Sequence, residues 1–243
     1  MIKYKLLVLF LVCNVQVLTA QKTKTYNLVT DFGAKPDDKT DCYPAFVKAA
    51  AALSKAGGGS LIIPKGKYYI GSYKIAGGPQ KNTITDIIFK NCTGLTIEGN
   101  NSVVRVNGNF SRNSDYQAPG LPYNYAFNSS VCAFKLINCK NTVLKNIELN
   151  GEVDKMRKQP GVVEGESYGV FIADYEPGDV SSNIRLQNIT AHHFASDGFQ
   201  IQSNGEDIMI TKCNLHHNGR QGLSIVKGSN IKCLFSSFDS TGH

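Results

Sequence analysis

Seven side chains between residues 168 and 227 have the types and spacing for work on a polar, acid-bearing ligand. Tyr168, Asp197 and Gln221 each stand directly before a glycine, namely Gly169, Gly198 and Gly222. Gln200 and Ser224 stand two places after such a glycine, Lys227 stands five places after, and Arg220 precedes Gln221. Asp197 is the one carboxylate of the set, which makes it the candidate proton donor or acceptor. Arg220 carries a planar fork suited to gripping a carboxylate, and is the candidate clamp. An ion pair between Asp197 and Arg220 is the purely structural alternative for both. Tyr168, Gln200, Gln221, Ser224 and Lys227 are the candidate substrate-binding side chains. No residue is assigned as a metal ligand. Asp174 and Asp197 are the only nearby acids, a thin set for Ca2+, which takes six to eight oxygens, so calcium is left open and no other cofactor is implied.

These side chains reach one surface only if their segments stack in register. Gly169-Val-Phe-Ile172, Gly198-Phe-Gln-Ile201 and Gly222-Leu-Ser-Ile225 share one pattern, with glycines 29 and 24 residues apart. A second strand-like run follows each, beginning at Asn183, Asp207 and Asn230. Less regular copies precede them, such as Phe134-Lys-Leu-Ile-Asn138 and Val143-Leu-Lys-Asn-Ile147. A period near 24 fits one coil of three short strands, each coil advancing by one strand spacing of ~4.8 Å. Alternation along a strand sends Val170, Phe199 and Leu223 into one inner file and Ile172, Ile201 and Ile225 into another. Tyr168, Asp197 and Gln221 then line up outside. A propeller needs longer four-stranded repeats, and a leucine-rich repeat needs an Asn-Leu ladder that is absent. The fold expected is all-β, a parallel β-helix solenoid.

The N-terminal part supplies an end for such a stack. Tyr43 to Lys55 is Ala-rich, with Phe46, Ala50 and Leu53 at helical spacing. Asp41 is its expected N-cap, and Gly57-Gly58-Gly59 stops it. Asp31-Phe32-Gly33-Ala34, the Asp38/Thr40/Asp41 turn, the helix, Gly58-Gly59 and Ile63-Pro64-x-Gly66-x-Tyr68 occur in order over about forty residues. Together they resemble the entry motif of the pectate-lyase-like superfamily. The resemblance implies a right-handed parallel β-helix whose helix caps the first coil, with residues 26–70 forming that entry. One domain is expected over residues 21–243.

A narrower resemblance lies further on. Ser196-Asp197-Gly198-Phe199 resembles part of the Asn-Thr-Asp-Gly-Phe-Asp motif of polygalacturonase-type glycoside hydrolases. Asn218-Gly-Arg220-Gln221-Gly falls where that family has paired acids, and Asp239-Ser-Thr-Gly242-His243 falls near its Gly-His element. Only Asp197 matches a motif acid. Arg220, Gln221 and Gln200 replace the others. Inverting hydrolysis needs two carboxyl groups roughly 6.5–9.5 Å apart, so the departures speak against the standard form of that reaction. An elimination with Arg220 as base is the related alternative. His216-His217-Asn218-Gly219 resembles a coil of alginate C5-epimerases, but Gln200-Ile-Gln-Ser203 stands where that family has Asp-Pro-His-Glu. His192, His193, His216 and His217 follow second strands and are expected in turns away from the groove.

Composition sets the context. Lys3, Lys5, the apolar run Leu6–Val12 and the small residue Ala20 read as a secretory signal cleaved near Ala20. The run is too short for a membrane span, so a secreted or periplasmic protein without a span is expected, and Cys13 lacks the small neighbours of a lipid-anchor site. Without Lys3 and Lys5 the net charge falls from +7 to +5, which suits an acidic polymer. No nucleic-acid motif is present. Cys42, Cys92, Cys132, Cys139, Cys213 and Cys233 show no close zinc spacing and are read as buried thiols or disulfides. Residues 107–130 and 152–166 break the rhythm as loops beside the stack. Thr241-Gly242-His243 falls where another coil is expected to begin. The function expected is cleavage of glycosidic bonds in an acidic polysaccharide such as pectin, by a monomeric hydrolase or lyase. The alternatives kept open are a non-catalytic glycan-binding or surface-adhesion protein and, from the epimerase resemblance, a polyuronate C5-epimerase.

Overall fold

A computed structural model describes residues 24–71, 74–76, 82–84, 86–106, 129–155 and 166–242. The proposed leader 1–20, most of the two expected loops and His243 lie outside these residues.

The chain winds as a parallel β-helix with three strand faces per coil. The first face runs through Ser129–Ile137, Glu166–Ala173 and the starts of Asp197–Thr211 and Gln221–Leu234. The second runs from Thr25–Asn27 and Gly59–Ile62 through the start of Leu95–Val106, then Lys140–Asn150 and Ser182–His192, to the ends of the two long strands. The third runs from Asp37–Asp41 and Lys67–Ile70 to Asn214–His216 and Ser237–Asp239. All pairings are parallel among the described strands except Lys74–Ala76 with Asn82–Ile84.

Each inner file is a column of matched apolar residues. Phe134, Val170, Phe199 and Leu223 are register partners, as are Leu136, Ile172, Ile201 and Ile225. On the second face the column is Leu61, Ile97, Leu144, Leu186, Ile210 and Cys233. These residues are almost all buried, those of the last coil excepted. Burial of such columns is the main stabilising term, at roughly 25 cal/mol per Å² of apolar surface, and each coil draws it from its two neighbours.

The helix Tyr43–Ala56 covers the first coil. Phe46 packs edge-on against Tyr68 and Phe134, both at 6.1 Å between ring centroids. Its C-cap is Gly57 in the left-handed region (φ 73°). The N-cap differs from expectation. Cys42 occupies that position, and Asp41 Oδ1 accepts from the Tyr43 N–H at 3.0 Å and the Gly71 N–H at 2.8 Å. Asp41 therefore ties the helix start to the strand beside it rather than capping it. All six described cysteines are free thiols, five buried and Cys233 exposed.

Candidate functional site

The glycine file decides how the first face is built. A Cβ on Gly169 would stand 2.6 Å from the Gly198 carbonyl oxygen, and one on Gly198 would stand 2.8 Å from that of Gly222. At these two contacts only glycine lets successive coils close, whereas the coil before them carries Ala133 at the equivalent place. The residue before each glycine is thereby fixed in one row, and Tyr168, Asp197 and Gln221 are direct register partners. Cys132 extends the row by one coil. Three residues along, a parallel row holds Lys135, Phe171, Gln200 and Ser224.

The two rows are not uniformly open. Tyr168, Phe171, Gln200 and Lys135 are buried, and Asp197 is fully so. Gln221 is exposed and Ser224 half-buried. Arg220 grips Asp197 with two bonds, Nε to Oδ1 at 2.9 Å and Nη2 to Oδ2 at 2.5 Å, and reaches Gln200 Oε1 at 3.4 Å. The ion pair considered as the structural alternative is thus present, and Arg220 remains about a third exposed (35%) while its partner is sealed. Asn218 holds this turn from beneath. It is fully buried, accepts from the Phe194 N–H at 3.1 Å and donates to the Ala191 carbonyl at 3.2 Å.

Two expected placements are corrected. Counting five places after each marker glycine puts Lys227 in line with Asp174 and Ser203, but the strands do not pair that way. The ladder slips after Ile201, so Lys227 pairs with Gln202 and its ammonium turns to Asn204 Oδ1. Asp174 is not a groove acid. Its carboxylate accepts from the hydroxyls of Ser181 and Ser203, both at 2.7 Å, and from the Ser181, Asn204 and Asn138 N–H groups. Burial works to raise its pKa, but these bonds outweigh burial and hold it below the usual carboxylate range. Asp174 is thus bonded through both oxygens, and Asp197 is clamped by Arg220. Among the described residues no three His, Cys, Asp or Glu side chains gather to hold a metal ion.

Sequence reasoning missed a second charged cluster. Lys135 Nζ lies 2.6 Å from Asp86 Oδ2, both side chains under a tenth exposed, and 5.2 Å and 5.6 Å from the Phe171 and Tyr175 ring centres. Burial opposes its charge, but Cys132 and Asp86 beside it outweigh burial and lift its pKa above the ordinary value. The signal was present in the alternation of Phe134-Lys135-Leu136, which points Lys135 outward. Ala133 in place of the marker glycine concealed the alignment.

The four turn histidines lie on the third face and its corner, away from these rows. His192 stacks on His216 at 5.1 Å and His193 on His217 at 5.5 Å. Within each coil the two Nδ1 atoms share a hydrogen bond, at 2.6 Å and 2.7 Å. Asp239 is the register partner of His216 and so belongs to this corner, not to the groove.

Comparison with known proteins fits this architecture. No family model matches. Alginate lyase 7 of Azotobacter vinelandii is 25% identical over 230 residues, 84% of this chain and 24% of that protein. An exopolygalacturonase of Arabidopsis thaliana is 27% identical over 253 residues, 86% of this chain and 54% of that protein. The chain therefore spans between a quarter and about half the length of these relatives. A protein from Parabacteroides merdae, provisionally assigned as a glycosyl hydrolase, superposes with a TM-score of 0.54 at 16% identity, covering 88% of this chain and 97% of its own. Fold and relatives fit the pectate-lyase-like parallel β-helix superfamily, with partial likeness to the polygalacturonase type. Its relatives at the sequence level are polysaccharide lyases and glycoside hydrolases. No helix among the described residues is long and apolar enough to cross a membrane.

Proposed function

We propose that the chain is an exported carbohydrate-active enzyme that holds an acidic polysaccharide along its first face and cleaves its glycosidic bonds. The observation that carries this reading is Arg220, fixed by buried Asp197 at the edge of an in-register row with Tyr168 and Gln221. A guanidinium held by one carboxylate keeps its orientation without spending side-chain entropy when a second carboxylate arrives. Arg220 is accordingly the substrate-facing group, a clamp for a sugar acid group or the base in an elimination. Asp197 is its positioning residue rather than a free acid. Gln221 and Ser224 supply hydrogen bonds to sugar hydroxyls from the neighbouring positions, and Lys227 and Asn204 form the rim.

Incubation with polygalacturonate and alginate separates the chemistries. Ultraviolet absorbance of unsaturated ends reports elimination, and new reducing ends without it report hydrolysis. Arg220→Gln is expected to lower turnover by at least tenfold, about 1.4 kcal/mol in the barrier, read at a temperature where the unfolding midpoint shows the variant still folded. Full activity in that variant removes the site. One observation favours a second reading, that of a non-catalytic glycan-binding protein. The row contains a single carboxylate, and it is already paired. Retention of the protein on an immobilised glycan with no product of either kind would select that reading.

A further inference from the structure

We propose that the second face carries a separate binding site for an anionic sugar unit, remote from the groove. A cavity of about 260 Å³ opens there between the strand Ser182–His192 and the ends of the two long strands. The groove rows use the starts of those same long strands, so a change of face separates the two places. Arg185, Met209 and Lys232 are register partners across three coils. Arg185 and Lys232 thus stand two strand spacings apart, ~9.6 Å along the stack, with Met209 between them. Both are exposed, and neither has an ion pair among the described residues.

The corner of the coil provides the other half of the site. Asn183, Asp207 and Asn230 occupy equivalent corner positions with positive φ (50°, 64° and 48°). Asn183 Nδ2 donates to Asn141 Oδ1 at 2.6 Å, which fixes its amide with the carbonyl oxygen as an acceptor. Asn230 Nδ2 is bonded to Asp207 Oδ1 and orients that carboxylate. The cavity therefore offers two unpaired cations on one side, oriented amide and carboxylate acceptors on the other, and the thioether of Met209 on its floor. Sugars need this combination: an apolar patch under the ring, planar polar groups for hydroxyls, and cations for acid groups. No aromatic side chain lines the cavity, so it lacks the aromatic platform on which single-stranded nucleic acids stack. Two cations against one carboxylate favour an anion over a neutral sugar. The ligand class is an oligosaccharide bearing carboxylate or sulfate groups on successive units. The choice of a sugar rests on the proposed function, whereas the anion preference does not.

The test is a titration of the full chain with two probes, a short oligogalacturonate and a sulfated galactan oligosaccharide, by calorimetry at low and moderate salt. Variants are Arg185→Gln/Lys232→Gln at this site and Arg220→Gln in the groove. The expected result is two bound oligomers per chain for at least one probe. The Arg185→Gln/Lys232→Gln variant loses one of them, with at least tenfold weaker binding there, and keeps turnover of short substrates. Arg220→Gln loses the other. If the groove reading is wrong, one oligomer still binds and disappears only in Arg185→Gln/Lys232→Gln. The proposal is overturned if that variant binds both probes like the parent chain, if a neutral galactan oligomer binds there equally well, or if neither probe binds. Both substitutions lie on exposed side chains, and an unchanged unfolding midpoint confirms that folding is intact.

Discussion

Two charged pairs on the first face look alike in a sequence and differ in what they can do. Arg220 keeps a third of its side chain in solvent while Asp197 has none, so the pair presents a cation. Lys135 and Asp86 are both sealed, so their pair neutralises itself inside the wall. Removing one member of a sealed pair leaves an uncompensated charge, at a cost of about 3–5 kcal/mol. Asp86→Asn and Lys135→Met are each expected to lower the urea midpoint strongly. The double variant Asp86→Leu/Lys135→Met is expected to recover much of the loss, and equal, additive losses would show that the two groups do not interact. The glycines of the first face act at the same scale. Gly198→Ala puts a methyl 2.8 Å from the Gly222 carbonyl oxygen. Overpacking of this kind costs about 1–3 kcal/mol, measurable as a lower unfolding midpoint together with weaker substrate binding, since Asp197 is displaced with the strand.

At the scale of the element, the histidine corner gives the fold a defined response to acid. His192 is pushed below the ordinary value of 6.5 first by burial and then by His193 and His216, with Glu148 at 3.3 Å acting the other way. His216 is lowered by burial and by His217, opposed by Asp239. Both depressed values mean that the unfolded chain binds protons more readily than the folded one. Their contribution to stability is complete above about pH 6.5 and is lost as pH falls through the folded values. The thermal midpoint is expected to drop between about pH 7 and about pH 5, and His192→Gln/His216→Gln should flatten that slope. An unaltered slope in the variant would assign the acid response elsewhere.

The same scale shows what was legible in the sequence. Matched glycines and alternating apolar residues were enough to place Tyr168, Asp197 and Gln221 in one row, because parallel in-register strands repeat side-chain direction coil after coil. Lys227 was misplaced because counting from a glycine cannot see the slip in pairing after Ile201. The burial of Tyr168 and Gln200 was not legible either. Alternation reports which way a side chain leaves the strand, not whether something covers it. Asp174 was counted among the acids near the groove because its five bonds come from four residues on three separate segments, and such convergence has no signature in local sequence.

At the scale of the whole molecule, the helix seals the first coil by seating Phe46 against Tyr68 and Phe134. Each further coil buries its apolar file against the coils stacked on it, so stability accumulates coil by coil rather than from one central core.

The glycine file also sets how this architecture measures a polymer. Each winding donates one side chain to each row and forces the next to follow at a fixed pitch of ~4.8 Å. The span of ligand that the wall can grip therefore grows only in whole steps. Gaining or losing a winding lengthens or shortens the reach by one such step and leaves the chemistry of the remaining positions intact. Selection for longer or shorter sugar chains can thus act by counting turns, with no need to redesign any single contact.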